Sequence, residues 1–205
     1  MHTVGDTRFF YIMIEIIDNF LSESYLKDLQ QHFLSLQCQW NYNDHLTGDD
    51  SYCNLGSFGF TSRLHWNQNF VNSYSGLLSK GLILFSQAKI QEITEISYQI
   101  VRARSDMTLY NPLKYRHEIH TDYPYEHMTA IFYLNTSDGN TVLFDREGKN
   151  LLQEVEPIEN RLLIFDGLYQ HTGHSPSNHK CRVLINMNFM TPELINELNQ
   201  KHHRS

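Results

Sequence analysis

The tripeptide His120-Thr121-Asp122 carries residue types from which a metal site can be built. In an extended strand, side chains two positions apart point to the same face, so His120 and Asp122 can present an imidazole and a carboxylate to one ion. A third ligand must come from elsewhere, and His171 lies downstream, followed after eleven residues by Arg182. Two imidazoles, a carboxylate and a trailing guanidinium favour a facial-triad iron(II) site beside a pocket for an acidic cosubstrate.

The distal histidine has an alternative, because His174 follows His171 by three residues. We favour His171 as the ligand and keep His174 open as the second candidate. Taken alone, any of these histidines is more often a surface residue or a hydrogen-bonded core residue. His117 and His127 flank the tripeptide. In the simplest strand register their side chains point away from the metal, so we interpret them as residues that surround the ligands or lie on the surface.

Several further motifs accompany the candidate ligands in a fixed order along the chain. They are Tyr110, His120-x-Asp122, Tyr133-Leu134-Asn135, Asp138-Gly139-Asn140-Thr141, His171 and Arg182. In this order the segment from about Tyr110 to Phe189 resembles the 2-oxoglutarate- and iron(II)-dependent oxygenases, most of all their prolyl 4-hydroxylase-like branch. The match covers roughly 40% of the chain, and its one small departure is the Asp138–Thr141 turn, where Gly-Gly-x-Thr is usual.

The resemblance implies an enzyme that uses Fe(II), 2-oxoglutarate and O2 to hydroxylate a C–H bond, with release of succinate and CO2. The substrate would be a prolyl or other peptidyl side chain, or a small molecule. His120, Asp122 and His171 would be the metal ligands and catalytic residues. Arg182 suits the far carboxylate of the cosubstrate because a guanidinium can bind a carboxylate through two hydrogen bonds. Tyr133 would donate to that carboxylate, Tyr110 would lie near its other end, and Asn186 shares the strand face of Arg182.

Two other classes of function stay open at this point. One is a jelly-roll module that binds metal or serves as a scaffold without turnover. The other is a cupin-like iron enzyme that does not use 2-oxoglutarate. Loss of activity when Arg182 is neutralised would argue against the second alternative, and 2-oxo acid decarboxylation would argue against the first.

Charge, hydrophobicity and cysteine content limit the classes of binding partner and the cellular location that we expect for this protein. The net charge is −7 without a Lys/Arg block, which argues against nucleic acid. The apolar run Phe9–Ile17 is too short to cross a bilayer and contains Glu15, so no membrane contact is predicted. Three widely spaced cysteines, Cys38, Cys53 and Cys181, indicate reduced thiols, and we expect a soluble cytoplasmic protein.

The elements that position the site follow from periodicity. After about residue 96 the apolar period is two, with Arg102, Arg104, Thr108 and Tyr110 on one strand face. In the last strand Val183, Ile185, Met187 and Phe189 share one face, and Arg182, Leu184, Asn186 and Asn188 share the other. The sequence therefore predicts a mainly β fold with flanking helices, a double-stranded β-helix of the jelly-roll or cupin-like type.

We expect one oxygenase domain over residues 1–205, with supporting elements in 1–95, the jelly-roll core in 96–190 and a C-terminal helix and tail in 191–205. The N-terminal part is predicted to contain a strand over 8–17, then a helix capped by Ser22 or Ser24 with an apolar stripe of Leu26, Leu29, Phe33 and Leu36. Residues 38–66 form either a lid or a pair of strands. Residues 67–93 form one or two helices.

Overall fold

The computed structural model describes residues 13–44, 58–66 and 69–202. Along these ranges the chain forms, in order, β1 (Ile14–Ile17), α1 (Glu23–Phe33), β2 (Asn41–Asn43), β3 (Gly59–Trp66), β4 (Asn69–Phe70), α2 (Tyr74–Thr94), β5 (Gln99–Leu109), β6 (Met128–Tyr133), β7 (Thr141–Phe144), β8 (Leu151–Val155), β9 (Arg161–Asp166), β10 (His171–Gly173), β11 (Cys181–Met190) and α3 (Pro192–His202). No helix in these ranges has both the length and the apolar character needed to cross a membrane.

The strands form a large and a small sheet, both antiparallel. The large sheet has the order β1-β9-β6-β11-β5-β3-β2, with β4 paired to β3, and the small sheet has the order β10-β7-β8. Apolar side chains from β6, β9 and β11 pack against β7 and β8 to form the core between the sheets. A second core lies on the other face of the large sheet, where α1 and α2 cover it. This arrangement is the predicted double-stranded β-helix with flanking helices.

Successive side chains of strand β11 point alternately into these two cores. Val183, Ile185, Met187 and Phe189 belong to the helix-covered core, as predicted. Leu184 belongs to the core between the sheets. The strand lies between β5 and β6, so every second β11 side chain is directed into the space that the two sheets enclose.

Helix α1 confirms the predicted element and corrects its end. Ser22 is the N-cap residue, and Leu26, Leu29 and Phe33 are buried. The helix ends at Phe33, so Leu36 lies beyond it and is fully exposed, which makes its place in the apolar stripe wrong. The strand predicted over 8–17 is present as β1, and its residues 8–12 lie outside the described part of the chain.

Residues 38–66 form a strand pair where they are described, since β2 pairs with β3, and residues 45–57 lie outside the described ranges. The following segment departs from the prediction because it begins with β4 rather than with a helix. A single helix, α2, then starts after Ser73, whose hydroxyl accepts a hydrogen bond from the Gly76 amide at 3.1 Å. Helix α3 starts at Pro192, within the segment predicted to contain the C-terminal helix.

Candidate metal and cosubstrate site

The segment that carries His120 runs antiparallel to β10. The amide of His120 donates to the carbonyl of His171 at 3.0 Å, and the amide of His171 donates back at 2.8 Å. This exchange of two hydrogen bonds makes the histidines direct neighbours across two strands, with ring centroids 4.5 Å apart. Four residues earlier, Arg116 forms a bridge with His174. His171, rather than His174, is therefore the residue paired with His120.

Asp122 completes a group of three possible metal ligands. One atom each of His120, Asp122 and His171 lies within 4.8 Å of the others. The Oδ2 atom of Asp122 is 3.8 Å from Nε2 of His171. Two imidazole nitrogens and one carboxylate oxygen at this spacing form a donor set that suits a non-haem iron(II) ion. The structure thus brings together the three residues predicted as ligands.

Both histidines are oriented by backbone carbonyls. Nδ1 of His120 lies 3.1 Å from the carbonyl oxygen of Glu118, and Nδ1 of His171 lies 3.3 Å from that of Tyr169. When Nδ1–H donates to a carbonyl, Nε2 carries the lone pair that can bind a metal. Burial lowers the pKa of His171 to about 4, although the carboxylate of Asp122 opposes this shift. His171 is therefore neutral at pH 7, as a metal ligand must be.

Asp122 is held by side chains from β5 and β11. Its Oδ1 accepts a hydrogen bond from Arg102, and its Oδ2 accepts from Asn188 at 2.8 Å and from Asn186 at 3.2 Å. Arg102 also donates to Asn188 at 2.9 Å and lies over the ring of Tyr123. Burial alone would raise the pKa of Asp122, but the nearby positive charges, that of Arg102 first and that of Arg104 among the others, together outweigh burial and hold the pKa well below its usual range. The carboxylate is thus kept ionised and fixed in orientation.

A cavity extends from the two histidines along β5 and β11. Its lining includes Arg104, Asp106, Thr108, His117, His120, Ile131, Thr141, His171, Thr172, Gly173, Arg182, Leu184 and Asn186. The β5 residues in this set are spaced by two and pair across the sheet with β11, Arg104 opposite Asn186 and Thr108 opposite Arg182. Of the predicted polar face of β5, Arg104 and Thr108 lie in the wall of this cavity, whereas Arg102 and Tyr110 are not part of the described lining.

Arg182 lies at the start of β11 and is only 6% exposed. Its Nη2 donates to the hydroxyl of Thr141 at 2.6 Å, which also accepts a 2.7 Å hydrogen bond from Tyr133. The guanidinium lies 5.8 Å from the centre of the Tyr133 ring. Burial lowers the pKa of Arg182. Its Nε has no hydrogen-bond partner within the described ranges, so this N–H can still donate to a ligand.

Two glycines give this guanidinium its space. A Cβ atom on Gly173 would lie 2.8 Å from Nη1 of Arg182. A Cβ atom on Gly139 would lie 2.4 Å from the carbonyl oxygen of His174 and 3.0 Å from Cδ of Arg182. Gly139, the glycine retained in the Asp138–Thr141 turn, is therefore required first by the close backbone carbonyl of His174, and its missing side chain also leaves room for Cδ of Arg182. The preceding position, which is glycine in the resembled family, tolerates Asp138 because its carboxylate binds the backbone amides of Ser177 and Asn178.

The remaining predicted cosubstrate residues differ in their placement. Tyr133 is fully buried behind Arg182 and reaches it through Thr141. Asn186 lines the cavity and contacts Asp122. Tyr110 follows the end of β5, is 55% exposed and is absent from the described cavity lining. Its role near the cosubstrate stays a prediction.

Several residues of the site were not anticipated from the sequence. His117, expected to point away, lines the cavity and is buried, with a pKa lowered to about 4 first by burial and then by the charge of Arg182. Arg104 and Asp106 also line the cavity and form an ion pair with a 3.0 Å nitrogen–oxygen distance. Alternation along β5 would have placed Asp106 beside Arg104 and Thr108. His127 is buried and packs edge-on against Tyr123.

No protein-family model matches the chain, and no curated protein sequence matches it significantly. Solved structures do resemble it. A prolyl hydroxylase from Trichoplax adhaerens, in complex with a peptide fragment of the hypoxia inducible factor oxygen degradation domain, has a TM-score of 0.67 at 18% identity, over 88% of this chain and 84% of that one. An oxidoreductase of the 2OG-Fe(II) oxygenase family from Burkholderia pseudomallei has a TM-score of 0.64 at 12% identity, over 86% and 84%.

A viral collagen prolyl hydroxylase from Paramecium Bursaria Chlorella virus-1, in its 2OG complex, is also similar. Its TM-score is 0.52 at 15% identity, over 87% of this chain and 96% of that one. At these identities the likeness establishes the fold. It confirms the predicted jelly roll, and with it the resemblance to the prolyl 4-hydroxylase-like branch at the level of architecture.

Proposed function

We propose that this protein is a 2-oxoglutarate- and Fe(II)-dependent dioxygenase that hydroxylates a C–H bond and releases succinate and CO2. The observation that carries the proposal is the spatial combination of two features in one cavity. The first is the ligand set of His120, Asp122 and His171 within 4.8 Å. The second is the buried guanidinium of Arg182, whose Nε has no partner in the described part of the chain.

The metal end of the cavity fits iron(II) by its donor set. Neutral imidazoles and one ionised carboxylate would hold the ion and leave about three coordination positions free. Bound there, iron(II) would couple reduction of O2 to decarboxylation of the 2-oxo acid and to oxidation of the substrate. Arg102 engages Oδ1 of Asp122 and leaves Oδ2 facing Nε2 of His171. Oδ2 would therefore be the carboxylate oxygen that binds the metal, next to the amide groups of Asn186 and Asn188 that donate to it.

The other end fits the far carboxylate of 2-oxoglutarate. A guanidinium removed from water interacts more strongly with an anion, and its planar nitrogens match two carboxylate oxygens. The Thr141 hydroxyl, which also accepts a hydrogen bond from Tyr133, already holds the guanidinium of Arg182 in place. The Arg182 side chain would therefore lose little conformational freedom on binding. Asn186 lies between the two ends and offers an amide to the 2-oxo acid.

The substrate that we propose is a prolyl or other peptidyl side chain, with a small molecule as the alternative within the same chemistry. Support comes from the similar prolyl hydroxylase that holds a peptide fragment. We further propose that the chain acts as one catalytic domain. Unpaired Cys38 and Cys181 support a reducing, cytoplasmic location.

The proposal is tested by removing ligands one at a time. Asp122→Ala should abolish tight Fe(II) binding and succinate formation, because it removes the charged ligand. His171→Ala should do the same, whereas His174→Ala should keep substantial activity and serves as the matched control. Fe(II) affinity and 2-oxoglutarate-dependent succinate formation are measured on the same preparations.

The outcomes separate the functional classes. Parental iron binding and turnover in Asp122→Ala would show that the ligand assignment is wrong. A parent protein that binds iron but forms no succinate would be a non-catalytic module. Substrate oxidation that proceeds without 2-oxoglutarate would indicate a cupin-like iron enzyme instead.

A further inference from the structure

The cavity contains a concentration of buried polar atoms without hydrogen-bond partners. Among the described residues these include both ring nitrogens of His117, Nε of Arg182, Oγ1 of Thr108 and Oδ1 of Asn186. Buried polar groups in folded proteins are nearly always hydrogen-bonded, because an unpaired one loses its interactions with water. Several unpaired groups facing one cavity therefore indicate a polar ligand that pairs with them.

His117 is the most unusual member of this set. It is 4% exposed, and neither Nδ1 nor Nε2 has a partner within the described ranges. Its backbone is fixed at two points of β10, since its amide donates to the Gly173 carbonyl at 3.0 Å and its carbonyl accepts from the Thr172 hydroxyl at 2.6 Å. The imidazole is thus held in the cavity by the backbone rather than by hydrogen bonds of its own.

His117 and Arg182 meet at the same residue of β10. The carbonyl of Gly173 accepts from the His117 amide, and the missing side chain of Gly173 leaves room for Nη1 of Arg182. This shared contact at Gly173 places His117 beside the part of β10 that the Arg182 guanidinium approaches.

We propose that His117 is a second ligand for the far carboxylate of 2-oxoglutarate, donating a ring N–H to the anion that Arg182 binds. This inference rests on the proposed function and adds a specificity-determining residue to it. A neutral imidazole carries one N–H and one acceptor nitrogen, so it can donate to a carboxylate without adding a second positive charge beside Arg182. The Arg182–His117 pair would then select a dicarboxylic 2-oxo acid over a monocarboxylic one.

The test compares two 2-oxo acids on the Fe(II)-loaded protein in the absence of O2. Pyruvate shares the 2-oxo acid end of 2-oxoglutarate and lacks the far carboxylate. His117→Phe should weaken 2-oxoglutarate binding on the order of tenfold and leave pyruvate binding unchanged, because only the far carboxylate loses a donor. His117→Gln keeps an N–H donor and should recover part of the loss. The control His65→Phe changes another buried histidine, on β3 and outside the cavity lining, and should alter neither affinity.

Parental 2-oxoglutarate affinity in His117→Phe would overturn the inference. So would an equal loss for both acids, which would place His117 at the metal end or in general folding, or a Gln variant as weak as the Phe variant. A parent that binds 2-oxoglutarate no more tightly than pyruvate would instead contradict the proposed function, and this inference with it.

A measurement on the parent avoids any folding defect of the variants. The imidazole nitrogens of His117 are observed by ¹⁵N NMR in Zn(II)-loaded protein. We expect their resonances to shift on addition of 2-oxoglutarate and to stay in place on addition of pyruvate. Resonances that respond to neither acid, or to both alike, would overturn the inference.

Discussion

Two arginines with largely buried side chains, Arg102 beside the candidate metal ligand Asp122 and Arg182 in the cavity wall, differ in what balances their charge. Arg102 donates hydrogen bonds to the carboxylate of Asp122 and to Asn188, and its guanidinium lies over the ring of Tyr123. The protein itself therefore supplies the partners of Arg102. Arg182 is also buried, but the partner of its guanidinium is the neutral hydroxyl of Thr141. An anion is already present at the first position, and a ligand anion is expected at the second.

The difference separates a positioning group from a binding group. Removing one partner of a buried ion pair leaves the other charge without compensation, which is costly. A buried cation without an anionic partner carries its desolvation penalty already and recovers it when an anion binds. Substituting Arg102 should therefore lower the stability of the folded protein, whereas substituting Arg182 should weaken ligand binding.

The largest expected effect is on stability. Arg102→Met should lower the free energy of unfolding of the metal-free protein by about 3 kcal/mol, because Asp122 would stay buried without its cation. Arg182→Met should change it little or raise it. Arg161→Met is the control, since Arg161 pairs with the more exposed Asp18, for which about 1 kcal/mol or less is expected. Urea unfolding measures all three, and equal losses for Arg102 and Arg182 would remove the distinction.

The next effect is on cosubstrate binding. Arg182→Met should raise the 2-oxoglutarate requirement by roughly 30-fold or more, about 2 kcal/mol, and leave Fe(II) binding largely intact. The readout is 2-oxoglutarate-dependent succinate formation, with pyruvate as the competing acid. If the variant keeps parental affinity and selectivity, Arg104 or Arg102 must bind the cosubstrate instead.

The smallest expected effect of a substitution is on the protonation of His117. His117 has a folded pKa of about 4, against about 6.5 when unfolded, so the unfolded state binds more protons between these values. Stability therefore falls as the pH drops from 6.5 towards 4, by on the order of 1 kcal/mol per pH unit for this residue. Arg182→Met removes a nearby positive charge and should raise the pKa of His117, which NMR titration measures. An unchanged pKa would mean that the charge of Arg182 does not contribute to it.

The sequence predicted the metal end of the site more fully than the rest. Alternation along β11 was sufficient to assign Arg182 and Asn186 to one face. His120 and Asp122 were predicted to lie together as neighbours in an extended strand; they do lie together, but on a segment that has a single bridge at His120 and a bend at Asp122. The choice of His171 over His174 depends on the pairing of β10 with the His120 segment, which is a long-range contact. Periodicity carries no information about such registers.

Other features depended on tertiary context. His117 was expected to point away because the segment from 116 to 120 was treated as a regular strand, whereas isolated bridges to β10 set its geometry. Helix α1 ends three residues before Leu36, although the apolar spacing continues, because propensity does not mark where packing against the sheet stops. The role of Arg102 follows from its position across the sheet from Asn188 and could not be inferred from its own strand.

The alternation of side chains along β11 also determines which mutations this strand tolerates. Arg182 and Asn186 line the cavity and Asn188 contacts Asp122, while Val183, Ile185 and Met187 belong to the helix-covered core. Because strand side chains alternate with a period of two, inserting or deleting one residue within β11 would exchange these sets, putting a guanidinium into the core and methyl groups into the cavity. Point substitutions along β11 alter one contact at a time. A single-residue indel there would erase both ends of the site and the core together, so natural length variation in this domain should accumulate outside β11.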